Sequence, residues 1–192
     1  MKSIVASLPR CGSTMVWRAV VGIGPDEPAL PQHYAAVPKL HAMTPEARRL
    51  LRRGARAVFL FGDPIAAVLS TLANCYNMAH FRNCGCNDTE PDIIDADGLG
   101  YEQIFNAWTR ARGEVLLLRY ETLPRHAWIL SEFLEREILL PPWRARETNV
   151  DRAPPERVAA IRTTYARLIR KVQNMPNVLL RTKSGKGGEC HA

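Results

Sequence analysis

Short apolar runs alternate along this chain with segments in which apolar residues recur at helical spacing. The runs at residues 4–8, 57–61 and 114–118 show no alternation of apolar and polar positions, which is typical of strands buried on both faces of a parallel sheet. A fourth run at 177–180 is predicted to be the last strand, and residues 37–41 are predicted to form a short edge strand. The pattern therefore predicts a sheet whose strands are mostly parallel.

Helices are predicted between these strands. Thr44 and Pro45 predict one helix start, because Thr is a favoured N-cap and Pro is tolerated at the first helical position. Gly113 predicts a helix end. The predicted helices cover residues 14–22, 45–53, 65–80, 101–112, 128–134 and 154–174. Strands that alternate with helices predict an α/β fold, a three-layer α/β/α sandwich with a mostly parallel central sheet and a ligand at the carboxyl ends of its strands.

The composition indicates one globular domain that binds anions. A length of 192 residues is sufficient for a single core, so residues 1–192 are predicted to form one domain, with a disordered basic tail at 182–192. The formal net charge of +7 suits a polyanionic ligand. No even spacing of basic and aromatic residues is present, which favours a nucleotide over nucleic acid as that ligand.

The chain carries no signal for export or membrane insertion. Met1 and Lys2 lead directly into the first strand, without the apolar core and cleavage site of a signal peptide. No apolar run is long enough to span a bilayer. The number of cysteines is odd, and they fit reduced thiols better than a disulfide framework. These features predict a soluble, cytoplasmic protein.

The turn between the first strand and the first helix has the composition of an anion site. Pro9, Gly12, Ser13 and Thr14 separate the strand from the helix, so backbone N–H groups and the positive end of the helix dipole face the turn. Arg10 adds a full positive charge. The alternative is an ordinary helix cap with a solvated arginine. A Walker loop, and with it a kinase-like phosphotransferase, is disfavoured because no Gly-Lys-Ser/Thr follows.

Polar residues also lie at the ends of three other predicted strands. Lys39 and His41 are two positions apart on the edge strand and project to the same face. A histidine on a surface loop is the alternative interpretation of His41. The second buried run leads to Asp63 and a helix that contains Ser70, and the third leads to Tyr120.

In their order along the chain, these four segments resemble the motifs of the PAPS-dependent sulfotransferases, where PAPS is 3′-phosphoadenosine 5′-phosphosulfate. The turn from Pro9 to Thr14 resembles the phosphosulfate-binding loop, and Lys39-x-His41 resembles the Lys-Thr-His segment of the family. Asp63-Pro64, together with Ser70, resembles the motif that binds the 3′-phosphate. The segment from Arg119 to Leu123 resembles the Leu-Arg-Tyr-Glu-Asp-Leu segment. The resemblance covers roughly residues 2–140 and implies a P-loop-like sulfotransferase fold.

The resemblance implies transfer of a sulfuryl group from PAPS, as co-substrate, to a hydroxyl or amine without a required metal. It implies catalytic roles for Arg10, Lys39 and His41, with the imidazole as the base for the acceptor proton. The implied PAPS-binding residues are Arg10, Cys11, Gly12, Ser13, Thr14, Ser70 and Tyr120. The expected partner is a small-molecule or glycan acceptor bound near loops 23–38 and 82–98, and neither nucleic acid nor a membrane is expected.

Three positions depart from the family pattern. Cys11 stands where Ser is usual, Met15 where an aromatic residue is frequent, and Gly62 where an Arg holds the 3′-phosphate. Because Arg is suited to bidentate phosphate binding, Gly62 requires another cation, from Arg56, Arg82 or the basic tail. The alternative is a non-catalytic nucleotide- or anion-binding relative that has lost the 3′-phosphate arginine.

Cysteines after the third predicted helix allow a further interpretation. Cys75, His80, Cys84 and Cys86 could supply a Cys₃His zinc site. Their spacing does not match a standard zinc motif, and unpaired thiols are the alternative. The acidic segment at 87–98 is predicted to be a solvated loop.

Overall fold

The computed structural model describes residues 2–24, 27–28, 37–142, 150–182 and 187–188. The described strands are β1 (Ser3–Ser7), β2 (Lys39–Leu40), β3 (Arg56–Phe61), β4 (Glu114–Arg119), β5 (Val178–Arg181) and β6 (Gly187–Gly188). The described helices are α1 (Ser13–Val21), α2 (Pro45–Arg52), α3 (Pro64–Asn74), α4 (Met78–Asn83), α5 (Tyr101–Thr109), α6 (Leu123–Leu134), α7 (Pro155–Thr164) and α8 (Ala166–Gln173). A 3-10 turn, Tyr120–Thr122, follows β4.

The apolar runs of the sequence form the centre of one sheet, with the strand order β2-β1-β3-β4-β5-β6. β1 is buried along its whole length, and β3 and β4 are buried at all but their terminal positions. β1 pairs in parallel with β2 and β3, and β3 pairs in parallel with β4. β5 is antiparallel to β4 and β6 is antiparallel to β5. The predicted α/β class with a mostly parallel sheet is confirmed.

The carboxyl ends of β1, β2, β3 and β4 lie along one edge of this sheet because the four strands are parallel. The chain leaves β1 through α1 towards β2 on one side, and it leaves β3 towards β4 on the other side. Connections that diverge in this way open a crevice outside the strand ends, where open α/β sheets bind ligands. Residues 8–12 and 62–63 flank the crevice.

Side-chain caps determine where two of the helices begin. Thr44 Oγ1 accepts a hydrogen bond from the N–H of Ala47 (3.1 Å), and Pro45 occupies the first turn, as predicted. The predicted helix at 65–80 is wrong, because α3 ends at Asn74 and α4 is a separate helix. The side chain of Asn77 accepts a hydrogen bond from the N–H of His80 (3.1 Å) and so starts α4 as its N-cap.

The predicted helix at 154–174 is also divided. Tyr165 lies between α7 and α8 and is buried. Its hydroxyl donates to the carbonyl of Ile93 (3.3 Å), so the break in the helix coincides with contact to the 87–98 segment. That segment forms no helix or strand and is mostly exposed, as predicted for a solvated loop, but Ile93 is buried and belongs to the core.

Two residues of the tail for which disorder was predicted, Gly187 and Gly188, pair with Arg181 and Leu180 as strand β6. The tail lysines at 183 and 186, which were candidates for the missing cation, lie outside the described residues. Among the helices of the described ranges, none combines the length and the apolar character that crossing a membrane requires.

Candidate functional site

The turn after β1 has an unusual backbone conformation. Arg10 has a φ of 65° and Gly12 a φ of 75°, so both are left-handed. The N–H of Leu8 donates to the carbonyl of Leu60 (2.9 Å), which joins the turn to the carboxyl end of β3. A Cβ at position 12 would overlap the ring of Tyr120, so only glycine permits this contact. A left-handed arginine is disfavoured, and such strain is concentrated at functional sites.

Helix α1 begins at this turn without a side-chain cap. Gly12 is its N-cap residue, and within the described residues no side chain caps its first turn. The alternative of an ordinary cap by Ser13 or Thr14 is therefore wrong. Ser13 is buried, and Thr14 is exposed. The first N–H groups of the helix lack intrahelical acceptors, and they lie at the positive end of the helix dipole.

Arg10 connects this turn to α3. Its Nε donates a hydrogen bond to Ser70 Oγ (2.9 Å), and its Nη1 donates to Cys75 Sγ (3.0 Å). With Gly62 at this position, the resemblance to the 3′-phosphate motif implies a cation that approaches Ser70 from another part of the chain. Arg10 approaches Ser70 in this way, and it was not among the candidates named from the sequence.

An acidic side chain lies against Gly62, the position at which the resemblance implies an arginine. A Cβ at Gly62 would lie 2.5 Å from Glu121 Oε1, and the same oxygen accepts a hydrogen bond from the N–H of Asp63 (2.7 Å). The carboxylate of Glu121 therefore disfavours an anionic ligand at position 62.

The cations named from the sequence do not provide a described contact to Ser70. Arg56 is wrong as a candidate, because it is at the amino end of β3 and forms ion pairs with Glu114 (2.7 Å) and Glu135 (2.8 Å). Arg82 is exposed on α4.

His41 lies directly after β2 and is only 5 % exposed. Its Nδ1 is 2.9 Å from the carbonyl oxygen of Ser7, so Nδ1 carries the hydrogen and donates. In the neutral ring, Nε2 is then the nitrogen that can accept a proton. The carbonyl of His41 accepts from Trp108 Nε1 (2.8 Å), which fixes the backbone. The alternative of a histidine on a surface loop is wrong.

Burial lowers the pKa of His41 from 6.5 to about 4. The hydrogen bond to Ser7 acts in the opposite direction, and the charges of His80, Lys39 and Arg10 lower the pKa further. The imidazole is therefore neutral at pH 7, which is the state a general base requires.

His80 is a member of this cluster that the sequence reasoning missed. Its ring centroid is 5.2 Å from that of His41, in an edge-to-face arrangement. Burial, with the charges of Arg10 and Lys39, lowers the pKa of His80 to about 4. Its Nε2 is buried and has no hydrogen-bond partner among the described residues. The sequence placed His80 only in a possible zinc site, since its approach to His41 depends on the unpredicted start of α4.

Lys39 adds a second cation on the other side of the turn. Its Nζ donates to Thr14 Oγ1 (3.1 Å) and lies 5.8 Å from the ring centroid of Trp17. Partial burial lowers the pKa of Lys39. In the part of the chain that the structure describes, neither Lys39 nor Arg10 has a carboxylate within ion-pair distance. Two partly buried cations without a counter-ion favour the binding of an anion between them.

Two other residues implied by the resemblance have different surroundings. Cys11 is buried in the core, so its side chain supports the turn and does not face the crevice. Tyr120 is half-buried against Gly12, at the crevice.

The described side chains around the cysteines are not placed to coordinate a metal ion. Over the described ranges, no group of three His, Cys, Asp or Glu side chains is placed to hold an ion. Cys75 accepts a hydrogen bond from Arg10. Burial raises the pKa of Cys84 to about 12, which keeps that thiol protonated, whereas zinc binds the thiolate.

The two histidines predict a pH dependence of stability. Their pKa values are about 4 in the folded chain and near 6.5 when unfolded. Between these values the unfolded chain binds more protons, so the free energy of unfolding decreases as the pH falls from 6.5 to 4. We expect the slope measured by urea unfolding to be smaller in His41→Asn/His80→Asn than in the unsubstituted protein. Equal slopes in the two proteins would contradict the pKa values.

Neither a scan against protein-family models nor a search of the curated proteins finds a match to this chain.

Proposed function

We propose that the chain binds PAPS at the carboxyl edge of its sheet and transfers the sulfuryl group to a hydroxyl or amine. One observation carries the proposal: the cations of Arg10 and Lys39 have no described carboxylate partner, and their charges act on His41, a buried histidine whose Nδ1 donates to Ser7 and leaves Nε2 as the proton acceptor. The proposed architecture is a three-layer α/β/α sandwich of the P-loop-like sulfotransferase type. Strands β1, β3 and β4, buried on both faces, support it.

The proposed nucleotide contacts follow the geometry of the turn. Arg10, Thr14 and the first N–H groups of α1 hold the 5′-phosphosulfate, with Lys39 beside Thr14. Ser70, together with the Arg10 guanidinium that already reaches it, holds the 3′-phosphate. Tyr120 borders the nucleoside. Cys11, Gly12 and Ser13 shape the turn.

The proposed transfer uses His41 as the base. The acceptor oxygen or nitrogen forms a bond to sulfur while the bond from sulfur to the bridging oxygen breaks, and adenosine 3′,5′-bisphosphate leaves. The acceptor proton moves to His41 Nε2. Arg10 and Lys39 stabilise the negative charge that develops on the leaving oxygen. A bound anion also offsets the two charges that lower the pKa of His41, so the base becomes stronger when the co-substrate is present.

The second candidate function is binding of an anionic nucleotide without turnover. Gly62 and the carboxylate of Glu121 favour it, since they remove a phosphate-binding arginine and place an acidic group near its position. The two functions are distinguished by calorimetric titration and by a product assay. PAPS-dependent transfer predicts that adenosine 3′,5′-bisphosphate binds more tightly than ATP, and that incubation with PAPS and phenol or amine acceptors releases the bisphosphate. Tight binding without release would establish the non-catalytic function, and a preference for ATP would contradict the use of PAPS.

Restoring the family arginine provides a further prediction. In Gly62→Arg alone, the new side chain meets Glu121, so we expect an internal ion pair and little gain in affinity. In Gly62→Arg/Glu121→Gln the guanidinium is free, and affinity for adenosine 3′,5′-bisphosphate should increase by roughly 1.5–3 kcal/mol. Affinity for adenosine 5′-phosphosulfate, which lacks the 3′-phosphate, should change little. Glu121→Gln alone is the control. An equal gain for both nucleotides would place the 3′-phosphate elsewhere.

A further inference from the structure

A groove between α2 and α5 is lined by arginines and is separate from the crevice residues Arg10, Ser70 and Lys39. Its cavity volume is about 810 Å³. Arg48 and Arg52 are four residues apart and so share one face of α2, and Arg110 lies just past the end of α5. Arg112 and Arg167 complete the arginine rim.

The positive charge of this groove is almost uncompensated. Across the described ranges, its arginine ion pairs are confined to Arg167, whose Nε is 3.5 Å from Glu102 Oε1. That carboxylate is also paired with Lys171 (2.6 Å), so it is not available to the other arginines. Like charges four residues apart on a helix are destabilising. A bound anionic partner would relieve this repulsion.

Four apolar residues line the groove beside its arginines and form what we call its floor: Met43, Leu51, Ala107 and Ala111. Glu102, Gln103 and Asn106 also line the groove, and the aliphatic parts of the arginine side chains extend the apolar surface. Its described lining contains no aromatic side chain, whereas single-stranded nucleic acids are usually held by stacking on aromatic rings. A glycan polyanion would satisfy the rim but offers little apolar surface to the floor. An acidic peptide with leucine-type side chains on one face complements both.

We propose that this groove binds an acidic, amphipathic peptide segment of a partner protein. The carboxylates of the segment pair with Arg48, Arg52, Arg110 and Arg112, and its apolar side chains contact Ala107 and Met43, which are partly exposed in the groove. Helical peptides bind grooves between helices in this manner. The inference does not depend on the proposed sulfuryl transfer.

The test uses the full chain and a fluorescent peptide whose helical form has Glu on one face and Leu on the other. Fluorescence anisotropy should show saturable binding that weakens as salt is raised. We expect Arg48→Glu/Arg110→Glu to raise the Kd at least tenfold. The matched control is Arg157→Glu/Arg162→Glu, which makes the same change in net charge on exposed positions of α7 and should change the Kd less than twofold.

A second variant separates the floor from the rim. Ala107→Trp fills the groove without a change in charge, so it should raise the Kd for the peptide at least tenfold. Thermal unfolding establishes that each variant is folded. Absence of saturable binding, equal losses in the two charge-reversal variants, or wild-type binding by Ala107→Trp would overturn the proposal. Tighter binding of a heparin octasaccharide or a short oligothymidylate than of the peptide would also overturn it. Adenosine 3′,5′-bisphosphate should not displace the peptide, which keeps this outcome independent of the crevice.

Discussion

His41→Asn should lower the rate of the proposed sulfuryl transfer on the order of 10²- to 10⁴-fold, the usual contribution of a positioned general base. Asparagine removes the proton-accepting Nε2, but its amide can still donate to the carbonyl of Ser7, as Nδ1 does. The change therefore removes the proton-accepting nitrogen and retains the hydrogen bond between the side chain at position 41 and the carbonyl of Ser7. The Kd for adenosine 3′,5′-bisphosphate should change little.

The chain offers a matched control for this substitution. His126 Nδ1 lies 3.0 Å from the carbonyl of Thr122, so His126 also bonds a backbone carbonyl, but on α6. His126→Asn should leave the rate unchanged. The assay is release of adenosine 3′,5′-bisphosphate from PAPS in the presence of acceptor, with urea unfolding as the test of folding. Near-normal turnover by the His41→Asn variant would exclude His41 as the base.

The same assay tests the contribution of His80. Its unpartnered Nε2 and its contact with His41 make it the nearest described alternative base. If His41→Asn retains activity that His41→Asn/His80→Asn loses, then His80 accepts the proton instead. If both variants lose the same activity, His41 alone is the base.

The sequence predicted features that depend on local patterns. Unalternating apolar runs identified the buried strands β1, β3 and β4, because a strand covered on both faces has no polar face. Thr44 and Pro45 identified the start of α2 because capping is a property of adjacent residues. The motifs after β1, β2 and β3 were expected at one edge of the sheet because the carboxyl ends of parallel strands lie at the same edge.

Contacts between distant segments were not predictable in this way. Arg10 and Ser70 are 60 positions apart, and nothing in the local pattern of either indicates their hydrogen bond. The approach of His80 to His41 required a separate helix, α4, that begins at Met78 with Asn77 as its N-cap. Asn77 is a favoured N-cap residue and was the signal for that start, but the apolar pattern of the preceding helix obscured it. Glu121 beside Gly62 likewise depends on the spatial adjacency of β3 and β4.

Arg10→Gly should weaken the binding of both adenosine 3′,5′-bisphosphate and adenosine 5′-phosphosulfate by about 1.5–3 kcal/mol, or roughly 10- to 150-fold in Kd. The variant removes the positive charge of the turn, so both nucleotides lose their interaction with that charge. Glycine is the informative replacement because Arg10 has a φ of 65°. Release of the left-handed strain offsets the greater entropy of glycine in the unfolded chain, so stability should change by no more than about 1 kcal/mol.

Two companion variants separate the roles of this arginine. Arg10→Lys keeps the charge but loses the donors to Ser70 and Cys75, and it should give an intermediate loss for both nucleotides. Ser70→Ala should weaken the bisphosphate alone, by about 0.5–1.5 kcal/mol. The decisive comparison is between the nucleotides in Arg10→Gly. If both are weakened equally, Arg10 serves the turn alone, because each nucleotide places a 5′-phosphate there, and Arg10 does not supply the cation for the 3′-phosphate. If the bisphosphate is weakened more than the phosphosulfate, one guanidinium serves both anion sites, and its bond to Ser70 accounts for a 3′-phosphate site without an arginine at position 62.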